Sequence, residues 1–320
     1  QNPVFLQRID DHSAWVNSAA LKAAGVTKET SDPHGGYFVR DESGEPTGML
    51  IDNAFRMVTS QAPPLSKEQL MNAIEAAIHH CLAFGVTGIH DLGGFREEIE
   101  AFEEMMKADR FDFRVYEFVR WPVNEQVLPH TYESLDHYLE RGPQIGLCDN
   151  RLTIRGIKMT VDGALGSRGA ALLEPYSDDP DNNGLTRLTD EEVYETLVRG
   201  LRAGFHAGLH CIGDRGNRIA LDAMEKALNE VPTEDHRLRI EHAQILHPDD
   251  VPRFAELGII PTMQATHATS DMRWAEDRIG AERLQYAYAW RTMIDTGVRI
   301  PGGSDAPVES INPLVGIYAG

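Results

Sequence analysis

The sequence predicts an α/β chain of the TIM (β/α)8 type, and three observations carry that reading. From about residue 61 onward, strand-like apolar runs alternate with amphipathic, helix-like segments. Polar residues recur where those apolar runs end, at the C-terminal strand ends on which barrel function sits. The Gly-rich GxGxxG turn that opens most doubly wound sheets is missing, as is a GxxxxGK[ST] loop.

Residues 1–60 stand apart as a turn-rich segment before the second barrel strand, and 61–320 form the barrel. The first part holds Asp32-Pro33-His34-Gly35-Gly36 and Asp41-Glu42-Ser43-Gly44-Glu45-Pro46. One short helix is expected within Ala14 to Ala24, stopped by Gly25. Gln61-Ala62-Pro63-Pro64 marks the boundary. Ser66 and Gln69 then have the spacing of a capping box, opening a helix with Leu70, Ile74, Ile78 and Leu82 on one face. The strand Val86 to Asp91 follows, then a helix carrying Ile99, Phe102 and Met106, and the strand Phe113 to Phe118. A longer connection leads to the strand Ile154 to Val161. Thr189 to Glu192 caps a helix with Val193, Leu197 and Leu201, and a strand ends at His210. A helix from about Asn217 to Glu230 leads to the strand Leu238 to His242. A helix Asp250 to Leu257, stopped by Gly258, precedes Ile259 to Gln264. The last unit is a helix Ala281 to Thr296 and a strand Val298 to Ile300, leading to Asp305. Seven strands result.

At 320 residues the chain can bury a large core without staples. Its net charge of -20 repels phosphate backbones and anionic membrane surfaces, so neither nucleic acid nor a membrane is an expected partner. A mean hydropathy of -0.35, without an apolar run of about 18 residues, predicts no membrane-spanning helix. Cys81, Cys148 and Cys211 are too few and too scattered for a disulfide framework, which fits a reducing compartment such as the cytoplasm.

Four strand-end positions carry the functional expectation: Lys158, His210, His242 and Asp305. Neutral imidazoles and a carboxylate suit a divalent metal, and a carboxylate can also take a proton from water. Lysine could join them only as a neutral amine or as a carbamate. Each has a plainer reading: a satisfied structural histidine, a turn aspartate before Ala306-Pro307, a lysine in an ion pair. Gly-punctuated Asp162 to Arg168 is either a loop over a ligand or an ordinary loop. Asp214 and Glu241 would support neighbouring ligands, and His267 would touch substrate or lie in solvent. Lys158 could also form a Schiff base with a carbonyl substrate, and a non-catalytic binding barrel is a further alternative. No GxSxG elbow is present.

Several segments together resemble the amidohydrolase superfamily, specifically its amidohydrolase-3 group of YtcJ-like metal-dependent hydrolases. They are Asp11 to Asn17, Lys158 to Arg168, His210 to Arg215, Arg239 to Gln244, Tyr286 to Arg291, and Gly303 to Glu309. The resemblance spans essentially the whole chain. It implies a (β/α)8 barrel with a divalent metal centre, zinc first, at its mouth. It places metal ligands at His210, His242 and Asp305, makes Asp305 the proton shuttle, and puts Lys158 where the superfamily often has a carbamylated lysine. His12, Asp162, Arg168 and His267 would bind a small amide, N-acyl or N-formyl substrate whose C–N bond is hydrolysed. The family's first strand ends in His-x-His, and no His-x-His occurs here. Asp10-Asp11-His12 stands where Asp-Gly-His is usual, and Ala265 where proline is common. The expectation is therefore an internal fragment that holds strands 2–8 and lacks the first, so that metal binding and activity of this chain alone are in question. Open sheet edges predict a homo-oligomer, or local disorder near residues 1–60.

Overall fold

The computed structural model describes residues 2–121 and 130–320, with side chains in the second stretch described from Ser134. The longer connection expected after Phe118 runs through 122–129, outside the described residues.

The first sixty residues build more than turns. Strands β1 (Phe5–Gln7), β2 (Ser13–Val16), β3 (Gly36–Arg40) and β4 (Pro46–Asp52) form an antiparallel sheet in the order β1-β2-β4-β3. Ala14 and Val16 face inward while Trp15 faces out, so residues 13–16 pair as a strand where a helix was expected. The helix starts later, at Ser18–Ala23, with Asn17 accepting the Ala20 amide at its cap. Leu50, Ala54, Phe55, Phe38 and Val16 make a separate small core.

The parallel sheet contains β5 (Gly88–Gly94), β6 (Arg114–Arg120), β8 (Leu152–Thr160), β9 (His206–Cys211), β10 (Arg239–His242) and β11 (Ile260–Thr262), in that order. A short β7 (Gln144–Gly146) pairs antiparallel with β8. The expected strand at Val298–Ile300 does not form. Among the described residues, a parallel bridge between Met263 and Gly302 is what continues the sheet beyond β11. The sheet is curled. In a flat sheet β5 and β10 would stand four strand spacings apart, about 19 Å, yet Arg239 Nη1 on β10 lies 3.0 Å from His90 Nδ1 on β5. The result is a half-barrel with helices outside.

Those helices form where the local signals place them. Ser66 accepts the Gln69 amide at 3.2 Å while Gln69 accepts the Ser66 amide at 2.9 Å, and the helix runs Lys67–Ala83. Thr189 and Glu192 repeat the device at Asp190–Arg202. Gly258, with φ 66°, ends Val251–Leu257. The single helix expected over 281–296 is broken into Ala275–Arg283 and Trp290–Asp295. Between them Tyr288, at φ 52°, donates its amide to Gln244 O after β10. The main core lies between sheet and helices, with Met105, Met106, Phe113 and Ile157 wholly or almost wholly buried. Each such side chain contributes about 1.5–3 kcal/mol. On the concave face Gly156 leaves room for the Phe118 ring, which a β-carbon would strike.

Candidate metal centre

The apolar parallel strands end in polar side chains at one rim. His210 is the penultimate residue of β9 and His242 the last of β10. Lys158 lies in β8, in register with Gly208 on β9. Gly208 in turn pairs with Arg239 on β10. A β-carbon on Gly208 would sit 2.8 Å from Glu241 Oε1. The missing side chain is thus the space in which Arg239 and Glu241 pair, Nε to Oε1 at 2.5 Å. His267 sits in the helix Ala265–Asp271 that follows β11, and Asp305 in the loop past the Met263–Gly302 bridge.

Four imidazoles stand in a row. The ring centroids of His12 and His210 are 4.9 Å apart, those of His210 and His242 4.5 Å, and those of His242 and His267 5.7 Å. Asp305 ends the row, its Oδ2 3.7 Å from His267 Nε2. His242, His267 and Asp305 bring one donor atom each to within 4.8 Å of one another. His242 Nδ1 lies 2.8 Å from Gln264 Oε1, so the ring donates there and leaves Nε2 for a ligand. His267 Nε2 is buried and makes no hydrogen bond among the described residues.

The electrostatics keep the nitrogens available. Burial, reinforced by neighbouring cations, holds His210 and His242 well below the usual histidine range, so both are neutral at pH 7. Burial lowers Lys158 too, against the pull of Glu241 and Asp305. Burial raises Glu241, and its Oε2 has no hydrogen-bond partner among the described residues. Asp305 keeps 37% of its side chain open to solvent. Crowding still raises it, opposed by His267, Lys158 and His12. His242 (φ 75°) and Asp305 (φ 54°) both hold the left-handed backbone region, which is uncommon for residues with a side chain and clusters at functional sites.

These residues fit a divalent ion. Neutral imidazoles and a carboxylate are the donors such an ion takes, and an unbonded buried nitrogen already faces them. His210 is turned elsewhere, its Nε2 3.4 Å from Gly163 O and 3.7 Å from Asp162 Oδ1.

The remaining expected residues divide. His12 is buried beside His210. Asp162 is fully buried and accepts the amides of Ala171, Ile212 and Gly213 at 3.0, 3.0 and 2.8 Å. Burial raises it to about 7 against those bonds. It ties the loops behind His210 together. Asp214 accepts the amides of Leu173 and Arg215, fixing the same region. Arg168 is engaged on the rim by Asp178, at 3.1 and 2.9 Å, and is not brought to the imidazole row. Sequence reasoning missed Gln264 and Asp52. Both are polar residues ending apolar strands, the same signal that marked His210, and Asp52 was hidden in a segment read as turns.

Known proteins resemble this chain over almost its whole length. The sequence profile of the Amidohydrolase family matches residues 1–320. YtcJ of Bacillus subtilis (strain 168), a protein named as an amidohydrolase, is 37% identical over 327 residues, covering 99% of this chain and 58% of its own. Protein LONG AFTER FAR-RED 3 of Arabidopsis thaliana is 35% identical over 320 residues, covering 98% and 54%. The N-substituted formamide deformylase of Arthrobacter pascens is 27% identical over 324 residues, covering 98% and 57%. The chain therefore spans little more than half the length of these relatives. An uncharacterised metal-dependent hydrolase of Pyrococcus furiosus superposes with TM-score 0.75 at 29% identity, over 100% of this chain and 62% of its own. With a curled parallel sheet, a rim of histidines and an aspartate, and a profile match from end to end, the chain belongs to the Amidohydrolase family.

Proposed function

We propose that the protein is a metal-dependent hydrolase of C–N bonds in small amide, N-acyl or N-formyl compounds. The observation that carries this is the convergence of His242, His267 and Asp305 within 4.8 Å. The relationship to a formamide deformylase supports the substrate class. His242, His267 and Asp305 hold the ion, with His210 and Lys158 beside them, Lys158 as a carbamate. Zinc suits the imidazole and carboxylate donors. A divalent ion supplies Lewis-acid chemistry at this rim, polarising a carbonyl and easing the deprotonation of water.

The chain's own residues do the rest. Asp305, raised by crowding yet open to solvent, accepts a proton at its carboxylate and returns it to the leaving nitrogen. Gln264 keeps His242 in one tautomer. Glu241, paired with Arg239, lies beside Lys158 on the floor. Free Cys81, Cys148 and Cys211 accord with a reducing, cytoplasmic setting. The test is Asp305→Asn assayed in saturating zinc: turnover of an N-formyl amine should fall by about 10³-fold or more while the melting temperature of the metal-free protein holds. Turnover within tenfold of the parent would remove Asp305 from this role. Lowered Lys158 also favours imine chemistry. A covalent adduct trapped at Lys158 by borohydride, with turnover indifferent to chelators, would replace hydrolysis with that reading.

A further inference from the structure

The imidazole row begins outside the parallel sheet. His12 comes from the antiparallel sheet, immediately before β2, and the Asp52 amide donates to its carbonyl at 3.0 Å. Its Nδ1 lies 2.6 Å from Asp52 Oδ1. Asp52, the last residue of β4, has no exposed surface and holds φ 48°, ψ -122°, a conformation that costs a residue with a side chain about 1–3 kcal/mol.

The surroundings are shaped to that carboxylate. A β-carbon on Gly163 or Gly169 would fall 2.5 Å from Asp52 Oδ2, so this double-glycine loop exists with the carboxylate against it. Arg187 Nη1 stands 3.7 Å from Oδ1, while Arg187 Nε and Nη2 donate to Asn53 Oδ1 at 3.1 and 2.8 Å. The small sheet is thereby bound to the chain that follows β8. A buried carboxylate on one imidazole nitrogen fixes both the ring and the tautomer. Nδ1–H donates to Asp52, and in a neutral ring Nε2 is then the acceptor. The bond to Asp52 is the one side-chain hydrogen bond of the His12 ring among the described residues.

We infer that Asp52 is a positioning residue that presents His12 Nε2 at the barrel mouth as a hydrogen-bond acceptor for an N–H of the substrate beside the bond that is cut. The small sheet then selects substrates: secondary amides are recognised by their N–H, and tertiary amides are not. The identity of the N–H donor rests on the amide-hydrolase reading; the Asp52–His12 pair does not.

The test uses the 320-residue chain loaded with zinc and labelled with 15N at histidine, with His12 signals identified by their loss in His12→Gln. In the unliganded protein NMR should report Nδ1–H and a bare Nε2. An N-alkylformamide should move the Nε2 resonance, and the matching N,N-dialkylformamide, which lacks an N–H, should leave it. In Asp52→Asn, with folding checked by melting, the KM ratio between the two amides should shift about tenfold against the secondary amide, with the change in KM rather than kcat. If Asp52→Asn does not fold, the wild-type NMR result decides. An Nε2–H tautomer, or a resonance that both amides move alike or leave unmoved, overturns the inference. Failure of the hydrolase reading shows separately, as the absence of product from either amide with the wild-type chain.

Discussion

Glu117 offers a stability test that leaves the metal rim untouched. It lies in β6 with no exposed surface, near the carboxyls of Asp91 and Glu98. One oxygen accepts the Gly94 amide at 3.0 Å, and the other has no hydrogen-bond partner among the described residues. Burial, then the neighbouring Asp91, push its carboxyl well above the usual range. The folded state therefore keeps a proton that the unfolded chain releases above its pKa of about 4.3. With one more proton bound in the folded state, stability falls as pH rises. The slope is about 1.4 kcal/mol per pH unit, until the folded group ionises. Glu117→Gln removes that slope and keeps an acceptor for Gly94. Between pH 5 and 7 the wild type should lose stability relative to the variant, by at most about 2.8 kcal/mol, the full slope over two units. The assay is urea unfolding of both proteins at several pH values in that window, comparing differences rather than absolute stabilities, because the glutamine adds a constant amide term. Parallel stability curves, within about 0.5 kcal/mol, would refute the reasoning.

Zinc at a hundredfold excess over its dissociation constant should raise stability by about 2.7 kcal/mol, read as a melting shift. His267→Ala should abolish most of that shift and exposed His34→Ala should not. Equal shifts in all three proteins would remove His267 from the ion site. Gly163→Ala puts a methyl group 2.5 Å from Asp52 Oδ2 and 2.9 Å from the Gly169 backbone. It should cost about 1–3 kcal/mol by denaturant unfolding. No loss would mean that the glycine loop does not pack on Asp52 as described. Leu6, Trp15 and Met49 lie side by side across β1, β2 and β4, exposed by 57, 60 and 38%. Self-association through this apolar stripe should appear as concentration-dependent sedimentation that Trp15→Lys weakens. A sedimentation coefficient independent of concentration would count against it.

The parallel sheet was readable because apolar runs alternate with helices whose ends carry local signals, such as Ser66 with Gln69 at a start and Gly258 at a stop. The antiparallel sheet was not. Turn residues dominate between its strands, and Trp15 and Val16 look helical beside the alanines that follow them. The helix expected over 281–296 failed for a related reason: a tertiary bond from Tyr288 to Gln244 outweighs local propensity. Within the site, a polar residue ending an apolar run found His210, His242 and Lys158 as rim or floor residues. The same rule could not assign their partners. His267 lies on a helix that folds back over the rim, so its approach to Asp305 is a property of the loop path alone. The turn of His210 toward Asp162 depends on three backbone amides that hold the carboxylate in place.

The row of side chains along the rim also has a direction in time. His12, His210, His242, His267 and Asp305 stand in space in the order in which a ribosome makes them. The parallel strands likewise neighbour one another in chain order, so each new unit docks on an edge already built. The carboxylate proposed to hold the ion and move the proton is made after all four imidazoles. A nascent chain that stalls after residue 267 presents a finished line of imidazoles without it. On the proposed reading, the imidazole donors are in place before the carboxylate that completes the ion site.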